Sequence, residues 1–92
     1  MGMIKELLKV EVNKIGHKLH GGVMVFNATD VCDLAGIPDE NDVMWMVKDN
    51  DKIVLLDRYG NDCLYITESG VYPLIRIGKS QWAEEARDSL ND

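Results

Sequence analysis

The sequence predicts an α+β fold, a small single domain over residues 1–92 in which antiparallel hairpins pack with about four short helices. Short apolar segments of strand character occur in two pairs, and a polar segment that contains glycine separates the members of each pair. A helix start signal follows directly after each pair. Because a chain of 92 residues buries only about two thirds of its unfolded surface, it supplies one core and not two.

The first hairpin is predicted at the N-terminus. Leu8, Val10 and Val12 alternate with charged residues, which indicates a half-buried strand, although residues 4–8 fit the start of a helix equally well. Residues 13–22 contain three glycines among polar residues and predict a long hairpin connection. Residues 23–26 are the predicted partner strand.

The segment after this strand contains complete helix start and stop signals. Asn27 suits the N-cap, and Asp30 stands at the N3 position, where its carboxylate is expected to bond back to the cap. Gly36 fits the left-handed residue just past the helix end, and Pro38 prevents continuation. These signals predict a helix over residues 28–35.

A second short helix is predicted after Pro38. Asp39 suits its N-cap and Asp42 its N3 position. The run over residues 43–47 is apolar on all sides, so this helix is expected either to be wholly buried or to expose a patch.

The second hairpin follows a turn at residues 49–51. Residues 52–56 predict one strand and residues 63–66 its partner, because both are rich in aliphatic and aromatic side chains. Residues 57–62 predict the hairpin loop.

Two helices are predicted in the last third of the chain. Thr67 is the expected N-cap of the first, Pro73 predicts a kink or an early 3₁₀ turn within it, and Gly78 ends it. Ser80 is the expected cap of the last helix. The predicted core takes apolar residues from these elements: Val10, Val12, Val25, Phe26, Val31, Leu34, Ile53, Leu55, Leu64, Ile66, Val71, Leu74 and Ile75.

Two blocks of sequence resemble a known family. The strand-like residues 23–26 with Asn-Ala-Thr at residues 27–29 resemble the start of the first helix of the Bro-N domain, which occurs in antirepressor-type proteins of phages and large DNA viruses; the related KilA-N domain shares the Asn-Ala-Thr start. Residues 64–75 are similar to a second Bro-N motif, a strand followed by Glu-Ser-Gly, an aliphatic residue, tyrosine and an aliphatic helix. The resemblance covers residues 8–90 and is poorest in the C-terminal quarter. The resemblance implies a phage or prophage regulatory protein. Because family members commonly continue into another domain, the chain is expected to be either a natural minimal version of such a protein or its excised N-terminal module.

The net charge of −6 is unevenly distributed. Residues 1–20 carry four lysines and two glutamates, whereas residues 21–92 carry six basic and fourteen acidic side chains. Between residues 30 and 51, seven carboxylates oppose only Lys48. An acidic face around the first two helices is therefore expected, and it would repel phosphate.

DNA binding is the function most often attached to the Bro-N family, but this chain departs from the family pattern. Its second and final helices carry apolar and acidic residues where the family carries basic ones. A transcription-regulatory module that binds DNA would have to use the N-terminal hairpin, and the charge disfavours it. Its candidate residues are Lys14, His17, Lys18 and His20.

Protein binding fits these departures better. Methionine adapts to a partner's shape and tryptophan is enriched in interface hot spots, so the run after the second N-cap is a candidate docking patch with a carboxylate rim. The expected partner is a protein such as a repressor or a host factor. Self-association and inhibition of a basic, nucleic-acid-binding host protein are alternatives. The candidate residues are Met44, Trp45, Met46, Asp39, Glu40 and Asp42.

Catalytic and cofactor signals are weak, and no enzyme activity, cofactor or metal is expected. Ser69 is not in a nucleophile elbow, and the acidic residues do not have EF-hand spacing. Cys32 and Cys63 are expected to be free thiols, and His17 and His20 to be exposed loop residues. The sequence contains neither an apolar run of membrane-spanning length nor a signal-peptide pattern. The protein is therefore expected in the cytoplasm of a bacterial host cell.

Overall fold

Four antiparallel strands form one sheet in the computed structural model, which describes residues 15–91. In chain order these strands are β1 (His17–His20), β2 (Val23–Asn27), β3 (Lys52–Leu56) and β4 (Asp62–Thr67). Their order across the sheet is β1-β2-β4-β3, so the second strands of the two hairpins, β2 and β4, are neighbours at the centre of these four strands. The two hairpins meet where β2 pairs with β4.

Within residues 15–91, three α-helices accompany the sheet: α1 (Ala28–Ala35), α2 (Glu68–Ile77) and α3 (Gln81–Asn91). Helix α1 follows the first hairpin and α2 follows the second, and the three helices contact one another. The predicted α+β class is confirmed. None of these helices has the length and apolar character required to span a membrane.

The core lies between the helices and one face of the sheet. Phe26 and Ile66 are register partners on this face and both are buried. Leu64 also packs against the core but stays partly exposed, whereas Ile53 is half-buried on the opposite face, where it pairs with Tyr65. Predicted core residues confirmed as buried are Val25, Phe26, Val31, Ile66, Val71, Leu74 and Ile75; those only partly buried are Leu34, Ile53, Leu55 and Leu64. Val10 and Val12 lie outside the described residues.

A hairpin precedes α1, but it pairs other residues than the sequence predicted, and its connection is shorter. The residues from His17 to His20, assigned to a loop from the sequence, form β1 and pair with the strand from Val23 to Phe26. Gly21 and Gly22 make a two-residue turn in which both φ angles are positive, 57° and 82°, as a tight hairpin requires. The loop assignment was wrong because three of the four residues of β1 are polar, so the segment has no alternating apolar pattern that would indicate a strand. The strand predicted at residues 8–12 lies outside the described residues.

The start of α1 follows the predicted cap with one difference. The Asn27 side chain accepts a hydrogen bond from the Asp30 amide at 3.1 Å, which confirms the N-cap. The Asp30 carboxylate does not bond back to the cap. It accepts from the Gly16 amide at 2.8 Å, and the Asn27 amide donates to the Gly16 carbonyl at 2.7 Å. Asp30 therefore ties the segment before β1 to the first turn of α1.

The end of α1 is as predicted. Gly36 has a φ of 77°, and its amide donates to the Asp33 carbonyl at 3.2 Å. The Ile37 amide donates to the Cys32 carbonyl at 2.8 Å. This pair of bonds satisfies two carbonyls at the helix end and turns the chain away from the helix axis.

Two 3₁₀ turns, Glu40–Asp42 and Met44–Met46, replace the predicted second helix, and a third, Asp49–Asp51, precedes β3. Met44 and Val47 are buried while Trp45 is exposed. Residues three apart lie on the same side of a 3₁₀ helix, so this geometry buries that pair together. The apolar run is therefore neither wholly buried nor wholly exposed: Met44 and Val47 face the core and Trp45 faces solvent.

Helix α2 is one uninterrupted α-helix, and the 3₁₀ turn predicted at Pro73 is not present. The Thr67 side chain accepts from the Gly70 amide at 3.4 Å, which confirms the predicted N-cap. Proline removes one backbone bond, but Val71 and Leu74 bury the inner face of the helix completely. The free energy gained by burying these side chains offsets the loss of the backbone hydrogen bond at Pro73.

Ser80 joins the end of α1 to the start of α3. Its hydroxyl donates to the Leu34 carbonyl at 2.7 Å and accepts from the Ala83 amide at 3.1 Å. Its own amide donates to the Ala35 carbonyl at 3.1 Å. The predicted cap of α3 is confirmed, and the same residue also satisfies carbonyls of α1.

Candidate functional site

An open groove of about 270 Å³ lies where the chain after α1 meets the junction between α2 and α3. Its apolar part comes from Ile37, Val43 and Ile77, of which Ile77 is 36% exposed. Exposed charges border it: two carboxylates on the segment after α1 and one lysine after α2. The residues that line the groove are Gly36, Ile37, Pro38, Asp39, Asp42, Val43, Ile77 and Lys79.

Local backbone interactions fix the acidic side of the groove. Gly36 turns the chain out of α1, and Ile37 is buried directly after it. Asp39 then caps the first 3₁₀ turn, because its side chain accepts from the Asn41 amide at 2.9 Å. This turn brings Asp42 to the same groove as Asp39.

Trp45 lies beside this acidic side with most of its side chain in water. Its relative exposure is 78%, and its indole Nε1 donates to the Asp42 carbonyl at 2.9 Å. The ring nitrogen is therefore satisfied and the orientation of the ring is restricted, while the aromatic surface remains open. Asp42 lines the groove and is hydrogen-bonded to Trp45, so the groove and Trp45 together are the candidate site.

The six residues predicted for protein binding occupy three different environments. Asp39, Asp42 and Trp45 lie at or beside the groove. Glu40 accepts a hydrogen bond from the Thr29 hydroxyl at 2.7 Å, and Met46 is half-buried. Met44 is a correction, because it is buried in the core and does not belong to an exposed patch.

The apolar part of the groove was not predicted from the sequence. Val43 was part of the predicted apolar run, but Ile37 was not among the predicted site residues. Ile77 and Lys79 come from the junction between α2 and α3, far along the chain from the other lining residues. The sequence contains no signal that joins these segments, since their proximity depends on the packing of α1 against α3 through Ser80.

The described members of the predicted DNA-binding set do not all lie on one face of the sheet. Lys14 lies outside the described residues, and the exposed His17 and the half-buried Lys18 are neighbours on β1, so their side chains lie on opposite faces of the sheet. Lys18 Nζ donates to the Leu56 carbonyl at 3.1 Å and lies 5.3 Å from the centre of the Tyr65 ring. Lys18 thus connects the two hairpins. His20 is exposed at the end of β1, and both histidines lie in a strand and not in the predicted loop.

Several carboxylates of the predicted acidic face have structural partners. Asp51 accepts from the Thr67 hydroxyl at 2.9 Å, and Asp49 forms an ion pair with Lys52 at 3.5 Å. Among residues 15–89, the Asp42 carboxylate forms no hydrogen bond or ion pair. Asp42 is therefore the acidic group of the groove that is most available to a ligand.

The two cysteines have different environments, and both are free. Burial raises the pKa of the Cys32 thiol to about 11, and the nearby Glu40 and Asp33 carboxylates act in the same direction. Cys63 is partly exposed at β4, with its Sγ 3.9 Å from Asp57 Oδ2. Within the described part of the chain, no three His, Cys, Asp or Glu side chains are grouped to hold a metal ion.

We expect iodoacetamide to modify Cys63 in the folded protein and to reach Cys32 only after unfolding. The thiolate is the reactive form, and with a pKa of about 11 only roughly one Cys32 thiol in a thousand is ionised at pH 8. Intact-mass measurement with and without urea, using Cys63→Ser as the control, gives the extent of labelling. Rapid double labelling of the native protein would contradict the buried position of Cys32.

Compared with models of protein families, with curated proteins and with solved structures, the chain has no match.

Proposed function

We propose that this chain is a non-enzymatic regulatory protein of phage or prophage type, similar to Bro-N antirepressors, that works in the cytoplasm of a bacterial host. It acts by binding a protein partner, such as a repressor or another host factor, through the groove and Trp45. The resemblance of the two sequence blocks supports the class of protein. The surface around Asp42 supports the mode of action.

The exposed ring of Trp45 is the observation that carries this proposal. Burial of a large aromatic side chain in an interface contributes several kcal/mol in hot spots, and tryptophan is enriched among them. The bond from Nε1 to the Asp42 carbonyl restricts the ring before any partner arrives. A restricted side chain loses less conformational entropy on binding, so more of the burial energy remains as affinity.

The size of the groove favours a protein partner over a small molecule. Its volume of about 270 Å³ falls just below the roughly 300–1,000 Å³ that is typical of small-molecule pockets. The groove is also open to solvent, and Asp42 in its lining is bonded to the exposed Trp45. A few apolar side chains of a protein segment fit such a space better than a whole metabolite does.

The charge of the groove favours protein over nucleic acid. Asp39 and Asp42 present carboxylates on one side, with the single Lys79 cation on the other. Phosphates of a nucleic acid would meet net repulsion at this surface. The described part of the first hairpin carries only one lysine, Lys18, so it offers little positive charge to offset this repulsion.

We expect Trp45→Ala to weaken partner binding by at least tenfold while the free energy of unfolding stays nearly unchanged. The affinity falls because the aromatic surface is lost, and stability is retained because the side chain is 78% exposed. The partner is isolated with the tagged protein from a lysate of the host, and its affinity for purified variants is then measured by calorimetry.

Tyr59→Ala is the matched control for this experiment. Tyr59 is also 78% exposed but lies in the loop of the second hairpin, away from the groove. Its replacement is expected to leave the affinity unchanged. If the wild type and a correctly folded Trp45→Ala variant bound the partner with equal affinity, the proposed function would be wrong. Met44→Ala is not a suitable test variant, because it opens a cavity in the core.

A further inference from the structure

We infer that the groove binds a short amphipathic segment of the partner in which aliphatic side chains stand next to an arginine. This inference rests on the proposed protein-binding function and adds the chemistry of the bound segment. It is carried by three features of the groove: its apolar lining, the separation of opposite charges across it, and the position of Trp45 beside the acidic side.

The apolar lining selects aliphatic side chains. Ile37, Val43 and Ile77 come from the end of α1, the 3₁₀ segment and the last residue of α2. Ile77 keeps 36% of its side chain exposed, because the chain turns at Gly78 and leaves one side of the residue uncovered. A leucine, isoleucine or valine of the partner would remove this surface from water, which is the favourable direction.

The charges on the two sides set the orientation of the segment. Asp39 and Asp42 border one side and Lys79 borders the other. Asp39 uses one oxygen for the Asn41 amide, whereas the Asp42 carboxylate has no bond or ion pair within residues 15–89. A cation of the partner therefore belongs beside Asp42, and a carboxylate of the partner belongs beside Lys79.

Trp45 favours arginine over lysine as that cation. The indole Nε1 is hydrogen-bonded to the Asp42 carbonyl, so the exposed ring lies next to Asp42, which is a residue of the groove. A guanidinium can pair with a carboxylate in a planar fork and also stack on an aromatic ring. An ammonium group makes the ion pair without the stacking geometry.

Selection from a random dodecapeptide library displayed on phage, with the whole chain as the target, tests this inference. The expected result is enrichment of peptides that place arginine within a few residues of two aliphatic side chains. Fluorescence of Trp45 is expected to change on binding, and the amides of Val43 and Ile77 are expected to shift in nuclear magnetic resonance spectra. The amide of Tyr59 is expected to stay in place.

Charge reversal gives the decisive comparison. Asp42→Lys, alone and combined with Asp39→Lys, is expected to weaken the selected peptides by at least tenfold. The controls are Glu84→Lys alone and combined with Asp88→Lys on the exposed part of α3, which match the net charge of the single and double groove variants and are expected to leave the affinity within twofold. Replacement of the peptide arginine by glutamate is expected to restore binding to Asp42→Lys.

Three outcomes would overturn the inference: no enriched peptide, enriched peptides without arginine, or equal binding to the charge-reversed and control proteins. The single Asp42→Lys variant guards against loss of fold, because only Asp39 caps the 3₁₀ turn. A natural partner whose complex depends on Trp45 but ignores both reversals would overturn this inference alone. A partner indifferent to Trp45 would instead overturn the proposed function.

Discussion

Replacement of Gly36 by alanine is expected to lower the free energy of unfolding by about 3 kcal/mol. The residue has a φ of 77°, a conformation that costs an L-residue about 1–2 kcal/mol. A Cβ here would also lie 2.6 Å from the Ser80 amide nitrogen and 3.0 Å from the Ser80 Cβ. Relief of this collision requires α1 and α3 to move apart, and such overpacking typically costs about 1–3 kcal/mol.

The expected loss is large for this chain. A domain of this length has a total stability of about 5–14 kcal/mol. A decrease of about 3 kcal/mol would lower Tm by roughly 12–24 °C, and urea titration would report it as a lower midpoint with an unchanged slope. Because Gly36 also lines the groove, any residual folded variant is expected to bind the partner more weakly.

Gly60→Ala is the matched control for Gly36→Ala. Its φ of 81° is almost the same, but a Cβ at Gly60 would have nothing within 4 Å. The control is expected to lose only the conformational part, about 1–2 kcal/mol. The difference between the two variants then measures the collision with Ser80. If both variants lost the same free energy of unfolding, the junction of α1 and α3 would accommodate the added Cβ without destabilisation.

The parts of the fold that were predictable from the sequence depend on neighbours within a few residues. The caps at Asn27, Thr67 and Ser80 and the end at Gly36 each require one polar side chain or one glycine at a fixed offset from an amide or carbonyl. Such interactions leave the same signature wherever the helix later packs. The bounds of α1 were therefore predicted without error.

The errors occurred where distant parts of the chain decide the local structure. The strand from His17 to His20 carries three polar residues and forms because the backbone of β2 offers hydrogen bonds to it. The 3₁₀ turns at Met44 exist because Met44 and Val47 are buried together in the core. The Asp30 carboxylate bonds to Gly16 and not to its own cap. Gly21 and Gly22 are a local signature of the first of these pairings, but the other two have none.

The candidate site was predictable only in its local half. Asp39, Asp42 and Trp45 lie within one short segment, whose carboxylates and apolar run were enough to predict a docking patch. Ile77 and Lys79 come from the end of α2, and the groove exists only because α1 and α3 meet there. A surface built from separate segments cannot be identified by spacing in the sequence, since tertiary packing sets the distances.

Replacement of Arg87 by alanine is expected to lower the free energy of unfolding by about 2 kcal/mol. Arg87 lies on α3 and its Nη1 donates to the Ile75 and Gly78 carbonyls, both at 2.7 Å. These carbonyls belong to the end of α2, where the helix leaves acceptors unpaired and where a cation is favoured by the helix dipole. Hydrogen bonds to a charged group contribute about 1.5–3 kcal/mol, and the half-buried position leaves some access for water to replace the lost donor.

Arg58→Ala removes the same charge without the capping bonds and serves as the control. Arg58 is exposed in the loop of the second hairpin and lies over Tyr59, with 5.9 Å to the centre of the ring. Its loss is expected to stay within about 0.5 kcal/mol. If both variants lost equal stability in urea titrations, net charge would explain the effect and the capping role of Arg87 would be wrong.

Hydrogen exchange at single amides distinguishes a local capping role of Arg87 from a general loss of stability. The Gly78 amide donates to the Leu74 carbonyl at 2.9 Å, so it reports on the last turn of α2. Without Arg87, hydrogen exchange at Gly78 is expected to accelerate more than exchange at Val31, whose protection depends on the core. Because Ile77 precedes Gly78, a frayed α2 end would also widen the groove, and affinity for the partner should fall together with the protection of Gly78. A decrease in affinity without faster exchange at Gly78 would place the effect of Arg87 outside α2.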